Sequence, residues 1–331
     1  MQRELIPATV ITGYLGSGKT TLLNRILTGD HGKKIAVIVN EFGEVGIDGD
    51  LLVHSDEEII ELNNGCICCN IRGDLVRIIE SFLERRLPID CLVIETTGLA
   101  DPGPIIQSFF VDEILVRNFS LNAIVTLVDA KHVSRHIQSP EASEQIAFAD
   151  LIVVNKSDLV SRDEIEALQS SLNSMNPLAG LVATTHGDID VDAVLQLKSF
   201  DIANALKIEP SILQEDSHVH EQGVNCVSLR FDGVMNGQLF NKWIYQFTQA
   251  NGPNVFRSKG ILNLDDAARR FVFQGVHMML DGRPGKPWLP GESRTNQLVF
   301  IGRDLDADLI QEQVYACREH ETTSFEARRD S

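Results

Sequence analysis

The stretch Gly13-Tyr-Leu-Gly-Ser-Gly-Lys-Thr20 decides the fold of the amino-terminal part of this chain. It fits the pattern G-x-x-x-x-G-K-[ST], follows the apolar run 8–12 and opens a helical pattern that begins near Lys19. Glycines in such a loop let consecutive backbone N–H groups turn inward around phosphate groups. A strand, this loop and a helix in succession therefore predict a phosphate-binding loop.

The loop predicts a set of nucleotide contacts. Lys19 supplies a cation to the β- and γ-phosphates, and the hydroxyl of Thr20 coordinates Mg²⁺. Glu95 ends the apolar run 91–95, where a carboxylate holds a magnesium-bound water, although most proteins with this loop carry Asp there. The N–H of Gly98 senses a γ-phosphate. The residues predicted to bind the phosphates are Gly13, Gly16, Ser17, Gly18, Lys19, Thr20, Thr21 and Gly98.

Strand and helix patterns alternate along the first two hundred residues. Apolar, β-branched runs at 8–12, 35–39, 91–95, 123–129 and 151–155 alternate with helical patterns near 19–29, 71–86, 102–117 and 162–175. Nearly continuous apolar strands belong to a parallel sheet that is covered on both faces. Residues 1–204 are therefore predicted to form a doubly wound α/β domain with a mostly parallel sheet.

A second, smaller domain is predicted beyond a linker. Residues 205–222 contain Pro210 and a polar run that ends at Gly223, a composition typical of a linker. Residues 223–331 form an α+β domain with an antiparallel sheet. Its predicted strands are 226–232, 254–263, 270–277 and 296–302, and its predicted helices are 236–249 and 305–317.

The segment Asn155-Lys-Ser-Asp158 follows the last of these buried strands and suits a guanine base. The Asp158 carboxylate accepts from the N1–H and the exocyclic amine together, a pair of donors that adenine lacks. Lys156 covers the base with its aliphatic stem, and Asn155 braces the loop. The segment favours GTP over ATP and counts against a phosphoryl-transfer kinase.

Three of the six cysteines, Cys66, Cys68 and Cys69, fall within four positions. Thiolates are soft ligands that select Zn²⁺ or similar ions, and three of them leave a tetrahedral site one ligand short. Glu41 and Glu44 are candidates for the fourth ligand. A redox dithiol and a closed structural zinc site are the alternatives. The run 41–61 holds eight carboxylates and no Lys or Arg, so its negative field would attract a cation to the thiolates.

Composition limits the partners and the compartment. The formal net charge is −18, which disfavours nucleic-acid binding. No secretory signal or membrane-spanning run is visible, and six cysteines are too few for a disulfide scaffold, so a reducing cytoplasm is predicted with no membrane partner.

Taken together, the chain resembles the CobW-type (COG0523) metallochaperone GTPases, and in particular their zinc-binding subgroup. The matching stretches, beyond the phosphate loop, are Asn40-Glu-Phe-Gly-Glu44, Asn64-Gly-Cys-Ile-Cys-Cys69, Glu95-Thr-Thr-Gly-Leu-Ala-Asp-Pro102, Asn155–Asp158 and, near the carboxyl end, Arg257-Ser-Lys-Gly260 with Trp288. The family's histidine-rich stretch between domains is reduced here to His218 and His220.

The resemblance implies a SIMIBI-type P-loop GTPase domain followed by a CobW C-terminal domain. It implies slow hydrolysis of GTP to GDP coupled to holding and handing over a transition metal, most often zinc, with Co²⁺, Ni²⁺ or Fe²⁺ as alternatives. A client metalloprotein is expected to dock on the C-terminal domain, and a nucleotide-dependent homodimer is compatible with the family.

The catalytic residues are assigned to Lys19, Glu44 and Glu95, with Glu44 or Glu95 orienting the water. The competing functions are a regulatory GTPase with a purely structural zinc site, and cobalt or iron insertion during cobalamin synthesis or nitrile hydratase maturation.

Overall fold

The computed structural model describes residues 5–40, 58–62, 71–197, 199 and 223–318. The predicted linker 205–222 lies outside these residues, so the predicted domain boundaries at 204 and 223 stay predictions. Within the described residues, no helix is long and apolar enough to cross a membrane.

The first sheet contains seven strands. They are β1 (Ile6–Gly13), β2 (Ile35–Asn40), β3 (Glu58–Leu62), β4 (Cys91–Glu95), β5 (Phe119–Asp129), β6 (Leu151–Asn155) and β7 (Gly180–Ala183). Their order is β3-β2-β4-β1-β5-β6-β7, and each neighbouring pair is parallel. The strands with the phosphate loop and with Glu95, β1 and β4, are direct neighbours near the middle of the sheet. The predicted doubly wound α/β fold is confirmed.

Within the described residues, six helices lie between strands of this sheet and a seventh follows β7. They are α1 (Lys19–Thr28), α2 (Ile71–Glu84), α3 (Gly103–Val111), α4 (Glu113–Asn118), α5 (Pro140–Phe148), α6 (Arg162–Met175) and α7 (Val191–Leu195). The prediction of one helix over 102–117 is wrong. Asp112 leaves the helical conformation (φ −87°, ψ 126°), and its side chain accepts hydrogen bonds from the N–H groups of Ile114 and Leu115, so it begins a new helix.

The second sheet is antiparallel, as the sequence predicts, but it has five strands where the sequence predicts four. They are β8 (Val224–Phe231), β9 (Val255–Leu262), β10 (Arg269–Val276), β11 (Met279–Pro287) and β12 (Asn296–Arg303), in the order β11-β10-β9-β12-β8. Two helices, α8 (Gly237–Asn251) and α9 (Ala307–Tyr315), share a hydrophobic core with one face of this sheet. The strand that sequence reasoning missed is β11, in which five of nine residues have poor strand propensity: Asp281, Gly282, Pro284, Gly285 and Pro287. Pro is tolerated there because β11 is an edge strand.

The two sheets are joined by a buried ion pair. The Arg257 guanidinium on β9 donates to Asp150 Oδ1 at 2.6 Å and to the Phe148 carbonyl at 3.1 Å. Both charged side chains are 2% exposed. Hydrophobic side chains of both domains, including Phe148 from α5 and Phe256 from β9, belong to one core cluster. The amino-terminal domain therefore packs directly on the C-terminal sheet through α5.

Candidate nucleotide-binding site

The phosphate loop lies between β1 and α1 and requires glycine for steric reasons. Gly13, Gly16 and Gly18 have φ of 142°, 73° and 104°, a region that L side chains rarely adopt. A Cβ on Gly13 would lie 2.3 Å from the Leu127 carbonyl oxygen, and a Cβ on Gly18 would lie 2.2 Å from the Asn155 side-chain amide nitrogen. The loop is thus held against β5 and against Asn155, the first residue of the predicted guanine-binding segment Asn155–Asp158 (hereafter the guanine segment).

Lys19 is buried within this loop although it carries a charge. Its exposed fraction is 8%, and its ammonium group donates to the Gly13 carbonyl at 2.9 Å. The Ser17 hydroxyl is buried as well and has no hydrogen-bond partner within the described part of the chain. A buried cation and a buried hydroxyl at the amino terminus of a helix form a site that suits an anion such as a nucleotide phosphate.

Thr20 and Glu95 lie together, as the sequence predicts for a magnesium site. The Thr20 hydroxyl donates to Glu95 Oε1 at 3.4 Å, and Glu95 is 5% exposed at the end of β4. Hydroxyl and carboxylate oxygens are the hard ligands that Mg²⁺ prefers, so these two side chains fit the ion. Thr21, also predicted to bind phosphate, is exposed on the first turn of α1.

The segment after β4 is packed tightly on the phosphate loop. A Cβ on Gly98 would lie 2.7 Å from the backbone nitrogen of Leu15, so only glycine fits. The carbonyl oxygens of Gly98 and Ala100 accept hydrogen bonds from the Gln145 side-chain amide at 3.2 and 3.0 Å. Gln145 lies on α5 and is 1% exposed. Sequence reasoning missed Gln145, because nothing in a helical pattern shows which loop a buried amide will hold.

Asn155 joins three loops of the site. Its amide nitrogen donates to the Ser17 carbonyl at 2.9 Å, and its amide oxygen accepts from the Gly187 N–H at 3.0 Å. Its exposed fraction is 2%. Asn155 thus connects the phosphate loop with the loop at 184–187, which is the bracing role that the sequence suggests for it.

Lys156 and Asp129 form an ion pair beside the phosphate loop. Lys156 has φ of 59°, and its ammonium group donates to the Gly16 carbonyl at 2.7 Å and to Asp129 Oδ2 at 2.8 Å. Burial acts to raise the pKa of Asp129, but hydrogen bonds from Lys156 and His132 outweigh it and lower this pKa to about 2. Asp129 is therefore ionised at neutral pH and fixes the Lys156 stem across the loop. Sequence reasoning missed Asp129, although it ends a predicted strand at the same sheet edge as Glu95.

Asp158 lies in a short 3-10 helix, Ser157–Leu159, and is exposed. Its carboxylate makes no hydrogen bond with the residues that the structure describes, so it is available to a ligand. The segment is held in place by backbone contacts, since the Ser157 N–H donates to the Thr184 carbonyl at 3.0 Å.

The predicted metal ligands Cys66, Cys68, Cys69, Glu41 and Glu44 lie outside the described residues, so the structure does not test them. Over the described ranges, no group of three or more His, Cys, Asp and Glu side chains could hold a metal ion. The three other cysteines are Cys91, Cys226 and Cys317. Burial raises the pKa of the Cys226 thiol to about 12, so this group stays protonated at neutral pH.

Two family models match the chain. The model described as the CobW/HypB/UreG nucleotide-binding domain matches residues 7–183, and the model of the CobW C-terminal domain, named for a cobalamin synthesis protein, matches residues 224–318. The first match contains the phosphate loop, Glu95 and the guanine segment. The second begins where β8 begins.

Several characterised proteins are similar over nearly the whole length. The chain is 34% identical over 316 residues to the zinc chaperone YjiA of Escherichia coli, which covers 92% of this chain and 96% of that protein. It is 30% identical to the zinc-regulated GTPase metalloprotein activator 1 of Schizosaccharomyces pombe, over 91% of this chain and 83% of the relative. The crystal structure of Zn(II)-bound YjiA GTPase from E. coli superposes with a TM-score of 0.78 at 29% identity, covering 96% of this chain and 100% of that one.

Proposed function

Because the chain belongs to the CobW/HypB/UreG nucleotide-binding family and carries the CobW C-terminal domain, we propose that it is a GTPase that binds zinc and transfers it to a client protein. The GTPase activity follows from the family and its GTPase relatives. Zinc handling is supported by the relatives, which include a zinc chaperone and a zinc-regulated metalloprotein activator. The proposal adds that GTP controls how tightly the protein holds zinc.

The coupling between GTP and zinc is supported by the positions at which β2 and β3 end. Asn40 pairs with Leu62 in the parallel register of these strands, and the preceding residue Val39 pairs with Glu95. The chain therefore leaves both strands level with Glu95, at the sheet edge that holds the phosphate loop. Strands lie about 4.8 Å apart, so Leu62 is roughly 10 Å from the end of β4. Glu41 follows Asn40 directly, and Cys66 comes four residues after Leu62.

The nucleotide site supplies the chemistry of hydrolysis. Lys19 and the backbone N–H groups of the phosphate loop would hold the phosphates and stabilise the charge that develops on them. Thr20 and Glu95 would hold Mg²⁺, which neutralises phosphate charge when bound. Either Glu44 or Glu95 is proposed to orient the attacking water, and the exposed Asp158 to select guanine.

The metal is proposed to be cargo held by Cys66, Cys68 and Cys69, with Glu41 or Glu44 as the fourth ligand. We expect GTP to tighten this site by ordering the chain around it, and hydrolysis to loosen it for transfer. The client would receive the metal while docked on the C-terminal domain.

The experiment is a zinc titration against a chromophoric chelator in three states: free protein, protein with GDP and Mg²⁺, and protein with a non-hydrolysable GTP analogue and Mg²⁺. We expect the zinc affinity to differ by at least about fivefold between the GDP and GTP-analogue states. Equal zinc affinity in all three states would contradict control of zinc transfer by GTP and would favour a GTPase with a structural zinc site.

Two variants separate the sites. Cys68→Ala should weaken zinc binding and leave GTP binding nearly intact, whereas Lys19→Ala should do the opposite. Cys226→Ala is the matched control, because its protonated thiol lies on β8 in the other domain. If both test variants lose both properties, the two sites are not separable as proposed.

A further inference from the structure

The C-terminal sheet presents a row of side chains that continues beyond the domain interface. In the register of the sheet, Gln297 on β12 pairs with Arg230 on β8 and with Ile261 on β9. Four residues along, Ile301 pairs with Cys226 and with Arg257, whose guanidinium holds Asp150 of the other domain. Side chains two or four residues apart on a strand lie on the same face. The face that packs on the nucleotide-binding domain therefore extends past the interface to Arg230.

At this outer end the face forms a cavity of about 390 Å³. Three cations from three strands line it: Arg230 from β8, Arg270 from β10 and Lys286 from β11. Arg230 and Lys286 are exposed and make no hydrogen bond or ion pair with any residue that the structure describes. In a chain with a formal net charge of −18, three converging cations are a local exception to the surrounding field.

Two further features indicate that the cavity is built for carboxylates. The guanidinium of Arg270 stacks on the ring of Trp288 at 4.5 Å and forms an ion pair with Glu292, so the cavity already accommodates one carboxylate of this chain. The indole N–H of Trp288 is buried and has no acceptor among the described residues. A buried donor without an acceptor costs free energy, which a ligand oxygen would recover.

We propose that this cavity, which we name the cationic pocket, binds a carboxylate-rich segment of the client protein. The inference rests on the proposed function, because it identifies where the client docks on the C-terminal domain. The lining runs from β8 to β11 across five strands, a distance of about 19 Å at about 4.8 Å per strand. An extended segment of about six residues spans that distance, so separate carboxylates would reach Arg230 and Lys286. A nucleic acid is disfavoured because the rest of the molecule would repel its backbone.

The test uses the full chain and a fluorescein-labelled octaglutamate peptide, with binding followed by fluorescence anisotropy. We expect binding that weakens as salt rises, and a loss of about tenfold or more in affinity for Arg230→Ala/Lys286→Ala. Lys242→Ala is the control. This exposed lysine lines a different groove, between α8 and α9, and its removal should leave peptide binding unchanged.

Three results would contradict the proposal. They are an unchanged octaglutamate affinity in the double variant, a loss of this affinity in Lys242→Ala instead, and octaglutamate binding no tighter than that of a single-stranded octanucleotide. Both altered side chains are exposed, so thermal unfolding of the double variant should match that of the wild type. Its zinc affinity in each nucleotide state should also be unchanged. If peptide binding does not depend on the pocket but the zinc affinity of the wild type still changes with the nucleotide, only this inference is refuted. If the zinc affinity of the wild type does not change with the nucleotide, the proposed function is refuted independently.

Discussion

At the scale of single residues, the nucleotide site depends on side chains that position its predicted nucleotide-binding residues. Asp129 is not predicted to contact the nucleotide itself, but its carboxylate forms an ion pair of 2.8 Å with Lys156, which is. The same carboxylate accepts hydrogen bonds from the N–H groups of Lys131 and His132. Its side chain is 7% exposed. Because its pKa lies at about 2, below the ordinary 3.8, its stabilising effect is present above pH 3.8 and is lost as the pH falls toward 2.

Asp129→Asn should weaken GDP and GTP binding by roughly tenfold. The substitution keeps the shape but removes the charge that holds Lys156, and a hydrogen bond between charged groups is worth about 1.5–3 kcal/mol. Isothermal titration calorimetry measures both affinities. Asp163→Asn, an exposed carboxylate on the first turn of α6, is the control. Identical affinities for Asp129→Asn and this control would contradict the positioning role.

At the scale of elements, α5 connects the segment at 98–100 with the C-terminal sheet. The helix begins at Pro140 after the Ser139 cap, whose hydroxyl accepts from the Ala142 N–H. Gln145 holds the carbonyl groups of Gly98 and Ala100, and Phe148 at the end of the helix accepts from Arg257. One turn of α5 therefore contacts both the nucleotide site and the second domain.

Gln145→Leu should lower the affinity for a GTP analogue more than the affinity for GDP. The variant releases the segment that is expected to contact the γ-phosphate, which GDP lacks. We expect a preferential loss of about three- to tenfold, within the 0.5–2 kcal/mol typical of residues that modulate coupling. Gln311→Leu, an exposed residue on α9, serves as the reference variant. Equal losses for the two nucleotides would show that Gln145 is only a packing residue.

At the scale of the whole molecule, the interface between the two domains buries a lysine close to the Arg257–Asp150 ion pair. Arg257 is neutralised by Asp150, but Lys259, two residues along β9, is 9% exposed and makes no hydrogen bond within the described part of the chain. Burial, and then repulsion from Arg257, lowers the pKa of Lys259 to about 8 from 10.5. Between these two values the unfolded chain binds more protons than the folded chain, so this residue makes stability rise with pH. Below pH 8 its destabilising effect is fully present.

Lys259→Met should therefore raise the free energy of unfolding at pH 7 by about 3 kcal/mol, since the pKa lies about 2.5 below 10.5 and one pKa unit corresponds to about 1.4 kcal/mol. The gain over the wild type should shrink between pH 8 and 10.5. Urea denaturation at a series of pH values measures both, with the exposed Lys242→Met as control. A gain that stays constant across that pH range would mean that Met improves packing without relieving a buried charge.

Much of the fold and part of the site could be predicted from the sequence. The parallel sheet follows from apolar runs at 35–39, 91–95 and 151–155, because a strand buried on both faces needs apolar side chains at nearly every position. The contact between Thr20 and Glu95 could be anticipated from local motifs, since the carboxyl ends of neighbouring parallel strands meet at one edge. The predicted helix over 102–117 failed at Asp112, where a side-chain cap outweighs a continuous helical pattern.

The sequence by itself determined the local chemistry: a phosphate loop that needs glycine, a guanine segment and a cysteine motif, all of which are encoded in short stretches of chain. The tertiary structure alone decided which distant residues support them. Three contacts illustrate this. Asp129 lies 27 positions from Lys156, Gln145 lies 45 positions from Ala100, and Asp150 lies 107 positions from Arg257. Such pairs depend on strand order and on how two sheets pack. Those are properties of the folded chain as a whole, because no local pattern specifies which buried polar groups will meet.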